Sequence, residues 1–440
     1  MALSELSFSQ FGELMQFKGV KSLFMKALAE NDNSKNQVYL SRGDLSLMQI
    51  LPNKGIYPDK KAKRENFKAK LDFYWIDDEK NINHAPDAQL ILYMDYPEIR
   101  FSGFLQNSKN APSELMRGRL KGRVMFLGVC DDGRTIGYVT TEDTQLIREI
   151  DALDNIEQLG VLLKLPLGVK SEEPKDLLLK ELKRINKLGW IVAKRLTIDG
   201  LKLCIGQNCG GLTLEAELGV VANSKSEPDF LGYEVKQYSV RNFNNTASGS
   251  AITLMTPEPQ GGLYKEKGVE IFVRKFGYED PKTTDRMNFS GLHYFNRRND
   301  RTGLTLVVDG YDIESNRIID VNGAIALVTN RGSVAASWAF KDIMAHWSRK
   351  HNHAVYVPSQ KQADALLQYR YGHLVLLAEK TDPLFLLKAL VDEKVYYDPG
   401  IHLENTSSNP TTKRRSQFRI HSKNIGALYR SVSEENLLTI

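Results

Sequence analysis

The chain has 440 residues, 42% hydrophobic and 26% charged content, and a formal net charge of +5. That length exceeds one comfortable core and fits two domains; no apolar run is long enough to span a membrane and the opening Met1-Ala2-Leu3-Ser4 reads as no signal peptide, so a cytoplasmic protein is expected. A mildly basic total leaves any nucleic-acid partner to be argued from where the cations lie. Three cysteines, Cys130, Cys204 and Cys209, cannot build a disulfide framework or a four-cysteine zinc site and are expected as buried or incidental thiols.

Residues 1–150 read mainly as short strands. Val38-Tyr39-Leu40, the β-type runs at 70–76, 89–94 and 123–129, and turn-rich pieces such as Asp131-Asp132-Gly133 give the rhythm of a compact all-β barrel. Basic residues gather in its expected loops, Lys54, Lys60, Lys61, Lys63, Arg64, Lys68 and Lys70 in one and Arg117, Arg119, Lys121 and Arg123 in another. Helix-compatible sequence at 147–163 then gives way to Pro166, Gly168 and Ser171-Glu172-Glu173-Pro174, which marks 151–175 as a linker. Beyond it, residues 176–188 carry leucines and lysines at helical spacing, with Gly189 where a C-terminal cap belongs.

The most informative stretch is 226–237, Ser-Glu-Pro-Asp-Phe-Leu-Gly-Tyr-Glu-Val-Lys-Gln. Phe230-Leu231-Gly232 can form a tight turn, and Tyr233-Glu234-Val235-Lys236 reads as a strand whose alternate residues share a face. Asp229 and Glu234 then converge where a hard, oxygen-preferring cation needs them, with Lys236 alongside, which is the PD-(D/E)xK arrangement of phosphodiesterases. Phosphodiester hydrolysis needs a metal on the scissile phosphate and a cation beside the attacking water. The bland alternative is a hairpin with a solvated acidic and basic face.

Two neighbouring patterns mislead. Residues 206–213 have the glycine spacing of a phosphate-cradling loop but place Leu212 where its lysine belongs. His346, His351 and His353 crowd together without an acidic or cysteine partner in sequence and read as a polar helix end and turn. Toward the end of the chain, residues 411–430 hold Lys413, Arg414, Arg415, Arg419, Lys423 and Arg430 and no acidic residue, a composition suited to a phosphate-rich groove.

From residue 178 onward the chain resembles restriction endonucleases of the MvaI/BcnI type, which are akin to the mismatch-repair nicking enzyme MutH. The resemblance rests on Leu188-Gly189-Trp190, the block from Asn208 through Cys209-Gly210-Gly211-Leu212-Thr213-Leu214 to Glu215, then Glu227-Pro228-Asp229, Glu234-Val235-Lys236 and Ile252-Thr253-Leu254-Met255-Thr256. It implies an α/β restriction-endonuclease-like fold over 176–440, Asp229 and Glu234 holding Mg²⁺, Lys236 activating water, and Glu215 supporting the site from a helix. It also implies DNA contacts from the late basic segment, with Arg414, Arg415, Arg419 and His421 as candidates and arginine bonding guanine bidentately. Residues 20–52 and 89–134 are similar, more loosely, to the effector DNA-binding domain of EcoRII-type enzymes, a pseudobarrel of the B-three class. Asn36, Gln37 and Arg100 are the contacts that this second resemblance implies. An effector module at 1–150 joined to such a nuclease is the UbaLAI-like architecture. It implies a monomeric Type IIE enzyme acting on two copies of a short CCWGG or CCSGG site in double-stranded DNA, with a DNA methyltransferase as genetic partner. A MutH-like nicking enzyme and a non-cutting DNA-binding regulator are the alternatives.

Overall fold

The computed structural model describes residues 3–30, 36–42, 45–59, 65–118, 120–154, 156–167, 173–206, 208–221 and 228–440. Lys60, Lys61, Lys63, Arg64, Arg119 and Glu227, singled out above, lie outside the described residues. The chain divides into two compact units, Met1–Ser171 and Glu172–Ile440.

The first unit is strand-rich. Its larger sheet has seven strands in the order Glu157–Leu159, Leu162–Leu165, Val20–Leu28, Arg123–Cys130, Arg134–Thr141, Asp72–Ile76, Ile82–His84. Asp131-Asp132-Gly133 makes the turn of its central hairpin, with Gly133 at a φ of 84° that a side chain would strain. One face is covered by the helices Phe8–Phe17 and Gln145–Asp151, which bury Phe11, Met15, Leu146 and Ile150 against Leu23, Phe126 and Tyr138. The five-stranded sheet runs Val38–Arg42, Glu98–Ser102, Gln89–Tyr93, Asn66–Lys70, Ile56–Pro58. Phe73 of the larger sheet meets Phe101 of the smaller, with ring centroids 4.9 Å apart, so an aromatic cluster ties the two together.

Two expectations need correction here. The stretch 151–175 is not simply a linker, because Glu157–Leu159 and Leu162–Leu165 form a hairpin that pairs antiparallel with Val20–Leu28. Leu162 and Leu165, at the two ends of its second strand, are buried, and that burial outweighs the helix propensity of leucine. Arg123 is not a loop cation available to a partner. It is buried and donates to the carbonyls of Leu120, at 2.8 Å, of Leu115 and Met116, and of Ala29, at 2.6 Å, so it serves as an internal knot for strand ends.

In the second unit the site is carried by a sheet in the order Ile191–Val192, Leu367–Tyr371, His353–Ala363, Leu374–Thr381, Tyr429–Asn436, with Tyr233–Ser239 added parallel to His353–Ala363. Register runs from Tyr233 opposite His353 to Ser239 opposite Ser359. The helix Pro174–Lys187 lays Leu178, Leu179, Leu182 and Ile185 on this sheet, against Val235, Val355, Val357 and Leu377. Gly189 follows it at a φ of 66°, the left-handed position that ends a helix. Smaller sheets fill the stretch between Ser239 and His353 and the stretch after Thr381, among them Ala251–Met255 with Phe418–His421 and Val395–Tyr397. A separate ribbon, Lys194–Thr197 with Gly200–Leu203, stands as a two-stranded sheet of its own. Among the described residues no helix is long and apolar enough to cross a membrane.

The cysteines also depart from expectation. Cys204 and Cys209 form a disulfide, five residues apart in sequence, and only Cys130 is a free, buried thiol. Sequence counting treated the three alike, whereas the bridge depends on the ribbon's last strand returning to the start of the helix Cys209–Glu217.

Candidate active site

The site begins with a turn. Phe230 and Tyr233 exchange backbone hydrogen bonds of 3.0 and 2.8 Å, and between them Leu231 and Gly232 both take positive φ, 49° and 85°. Two left-handed central residues define a type I′ reversal, which suits Gly232 and strains Leu231. The reversal folds Asp229 back so that its Oδ2 accepts the N–H of Val235 at 2.9 Å. Asp229 is thereby fixed beside Glu234. In the strand Tyr233–Ser239, Val235 goes into the core while Glu234 and Lys236 share the opposite face.

Glu234 is 1% exposed, and Lys236 Nζ stands 2.6 Å from its Oε1. A second lysine reaches the same oxygen: Lys350, at the end of the helix Phe340–Lys350, lies 3.2 Å from Glu234 Oε1 and 3.8 Å from Asp229 Oδ1. Burial holds the Glu234 carboxyl above its ordinary value, with Lys236 opposing and Asp229 adding to the rise. Burial works against the Lys236 ammonium, but Glu234 outweighs it and the pKa of Lys236 is raised, so it stays cationic. Glu215, on the helix Cys209–Glu217, is raised first by burial and then by the charge of Asp229, which places three carboxylates in one electrostatic neighbourhood. Beneath them Tyr356, opposite Lys236 in register, shares a hydrogen bond of 3.0 Å with the buried Tyr429.

The helix bearing Glu215 is held close to the strand Tyr233–Ser239 by an absent side chain. A Cβ on Gly210 would come within 2.6 Å of Gln237 Oε1 and 3.0 Å of the Tyr369 ring, and Tyr371 donates its hydroxyl to the Gly210 carbonyl at 2.7 Å. The glycine-rich segment that imitates a phosphate loop is the docking end of this helix.

The donor set suits a hard divalent cation. Both Glu234 oxygens are buried without a well-aligned hydrogen bond, although two ammonium groups stand at ion-pair distance. Among the described residues no three His, Cys, Asp or Glu side chains make a ready cage. Mg²⁺ needs none, since it binds through one or two carboxylates and takes its remaining oxygens from water and substrate phosphates.

A family model for MvaI/BcnI restriction endonucleases matches residues 179–429, more than half of the 440-residue chain. The chain belongs to the MvaI/BcnI restriction endonuclease family. Membership makes it a sequence-specific DNA endonuclease. Among solved structures it is similar to the restriction endonuclease MvaI in complex with its cognate DNA substrate, at 16% identity over 60% of this chain and 99% of that one, with a TM-score of 0.46. It is similar also to MvaI in the absence of DNA, at 16% identity over 61% and 100%, with a TM-score of 0.34. No curated protein matches the chain.

The other expected DNA contacts of this MvaI/BcnI family member fall into distinct groups. Arg414 and Arg415 line a cleft of about 490 Å³ with Arg286, Asn288, His402 and Lys413, and Arg415 lies flat over Gly400, where a Cβ would come within 2.6 Å of it. Arg419 is apart from them. Its guanidinium donates to Asp398 Oδ2 at 2.6 Å and to the Ala251 carbonyl at 2.7 Å, a cross-strand clamp. His421 is exposed, its ring 5.6 Å from that of Tyr396. In the first unit Gln37 and Arg100 are brought together, Nη1 to Oε1 at 3.3 Å, while Arg100 also pairs with Glu98 and lies over the Tyr93 ring. Asn36 precedes them at a φ of 50°.

The histidine cluster is not a polar turn. His351 is fully buried and stacked on Trp347 at 4.1 Å, His346 is pushed down to about 4 by burial and by Lys350, and His353 faces Glu379 at 3.9 Å. Lys350 is the residue that sequence reasoning missed. The signal was present, since Phe340, Ile343 and Trp347 form the buried stripe of its helix and Lys350 continues that stripe at the next helical interval.

Proposed function

We propose that this endonuclease is a Mg²⁺-dependent Type II enzyme that cuts both strands of a short CCWGG or CCSGG type target, with Asp229, Glu234 and Lys236 as its catalytic set and Glu215 supporting them. The observation that carries this is the buried Glu234, its Oε2 without a hydrogen-bond partner, fixed beside Asp229 and flanked by Lys236. Asp229 and Glu234 would hold the cation, which supplies Lewis-acid polarisation of the scissile phosphate. Lys236 orients the attacking water and stabilises the charge that develops on the phosphoryl oxygens. The 3′-oxygen is the leaving group. Arg414 and Arg415, in a basic cleft, suit bidentate contact with guanine or phosphate, whereas Arg419 and His421 suit a supporting role.

The first unit serves, in this reading, as a B-three-like pseudobarrel effector domain that binds a second copy of the site through Gln37 and Arg100, with Asn36 alongside. The enzyme is then a cytoplasmic monomer of the Type IIE kind, kept from its host's DNA by a methyltransferase. Linking two DNA-binding modules raises the effective concentration of one site for the other.

One incubation of plasmid DNA with Mg²⁺ tests the central reading. Discrete double-strand fragments that vanish with Asp229→Ala or Lys236→Ala, while a mobility shift persists, are the expected result. Accumulated nicks favour a strand-nicking enzyme, and a shift without cleavage by the wild type removes the catalytic assignment. Plasmids with one and with two copies of the fragment-end sequence test the effector reading, which fails if both are cut at equal rates.

A further inference from the structure

The ribbon Lys194–Thr197 with Gly200–Leu203 and the residues at its tip and end gather four exposed large aliphatic side chains within eight residues. Ile198 at its two-residue tip is 92% exposed, Leu201 60%, Leu203 65% and Ile205, just beyond, 95%. A free two-stranded ribbon is marginally stable in water, and four large aliphatic side chains held out on one is a costly arrangement without a surface to cover them. Its register sorts the residues by face. Arg195 pairs with Lys202, while Leu196 pairs with Leu201 and Lys194 with Leu203, so one face carries Arg195 and Lys202 and the other the three leucines, with Lys194 at its base. Of the ribbon's three cations, Lys194 is paired with Glu217 at its base and Lys202 engages Asp199 at 2.8 Å, which leaves Arg195 as the cation in excess.

The base of the ribbon is rigid. Cys204 N–H donates to the Ala193 carbonyl at 2.9 Å, the Lys194 N–H reaches Thr213 Oγ1 at 3.1 Å, Lys194 Nζ pairs with Glu217, and Cys204 is bonded to Cys209. Thr213, Glu217 and Cys209 all belong to the helix that carries Glu215. The ribbon is therefore a stiff arm mounted on an element of the active site.

We propose that this arm is a DNA-contacting element that enters a groove of the duplex beside the cleavage site, with Ile198 and Leu201 against the bases and Arg195 and Lys202 toward the phosphates. The inference rests on the endonuclease reading. Two-stranded ribbons fit DNA grooves, and apolar wedges flanked by cations are the side chains that architectural proteins set between base steps. The positive face argues for a polyanion as the occupant over a second copy of the chain, which would bring like charges together.

The test uses the full chain and a fluorescein-labelled mixed-sequence duplex in EDTA, read by anisotropy at several salt concentrations, with circular dichroism melts confirming that each variant is folded. Ile198→Ser combined with Leu201→Ser should weaken binding about tenfold, equivalent to roughly 1.4 kcal/mol. Arg195→Ala should lower the slope of log affinity on log salt by about 0.9, the value of one lost phosphate contact. Wild-type binding and cutting with unchanged affinity and slope in both variants overturns the proposal, as does a loss of self-association in sedimentation with DNA affinity intact. A wild type that neither binds nor cuts DNA overturns the endonuclease reading and the arm's role with it.

Discussion

Replacing Lys350 by methionine removes one of two cations at a buried carboxylate, and the size of the effect can be bounded. At 3.2 Å the Lys350–Glu234 pair is worth about 5 kcal/mol at an effective dielectric of about 20. That figure cannot be lost in full, because Glu234 can take up a proton instead. Protonating a carboxyl with an ordinary value of 4.5 at pH 7 costs about 3 kcal/mol, and burial has already raised Glu234 above that value. Lys236 remains at 2.6 Å, so the loss at pH 7 should lie at about 1–3 kcal/mol. The sign follows from the proton: as pH falls, Glu234 is neutralised in both proteins, so the difference is fully present at high pH and shrinks toward acid. Urea unfolding of wild type and Lys350→Met at pH 7.5 and pH 5.0, with divalent ions chelated, measures this. An equal loss at both pH values, or none at pH 7.5, would refute the role of Lys350 as a counter-ion to Glu234.

Glu215 gives a second pH test. Its folded value is raised, so its contribution to stability is present below its unfolded value and is lost as pH rises through the folded one. In chelated buffer Glu215→Gln should therefore melt above wild type at pH 8 and beside it at pH 4. Gly210→Ala gains about 1 kcal/mol of helix propensity, yet its methyl must push Gln237 off Ser359 and press on Tyr369, at about 1–3 kcal/mol. A lower melting temperature and a fall in cleavage rate of more than tenfold are expected, the second because Glu215 moves with its helix. Cys204→Ser should cost about 2 kcal/mol from the short loop that the disulfide closes, and wild type in strong reductant should lose the same amount.

The parts of the site that were legible in sequence are the local ones. The turn at Phe230–Tyr233 and the two-residue alternation that pairs Glu234 with Lys236 are decided within ten residues by glycine and strand geometry. The helix at Pro174–Lys187 was legible for the same reason, since its period and its capping glycine are written consecutively. Glu215 needed a family resemblance, because nothing in a lone helical glutamate says what faces it. Lys350 and the Tyr356–Tyr429 pair come from strands and helices far along the chain, and only the parallel pairing of Tyr233–Ser239 with His353–Ala363 brings them to the site. The Cys204–Cys209 bond and the Arg419–Asp398 clamp were invisible because composition and charge runs record which residues are present and not which ones meet.

That parallel pairing also sets a schedule. Tyr233–Ser239 cannot be placed until His353–Ala363 has left the ribosome, and the sheet beside it closes only with Tyr429–Asn436. At about 5–20 residues per second the nascent chain carries Asp229, Glu234 and Lys236 for roughly ten seconds or more before Lys350, Tyr356 and Tyr429 exist to surround them. A fragment released early would hold Asp229, Glu234 and Lys236 without the strands and helix that surround them. For a member of a restriction endonuclease family, pairing Tyr233–Ser239 with a strand more than a hundred residues later ties assembly of this site to synthesis of the later segment.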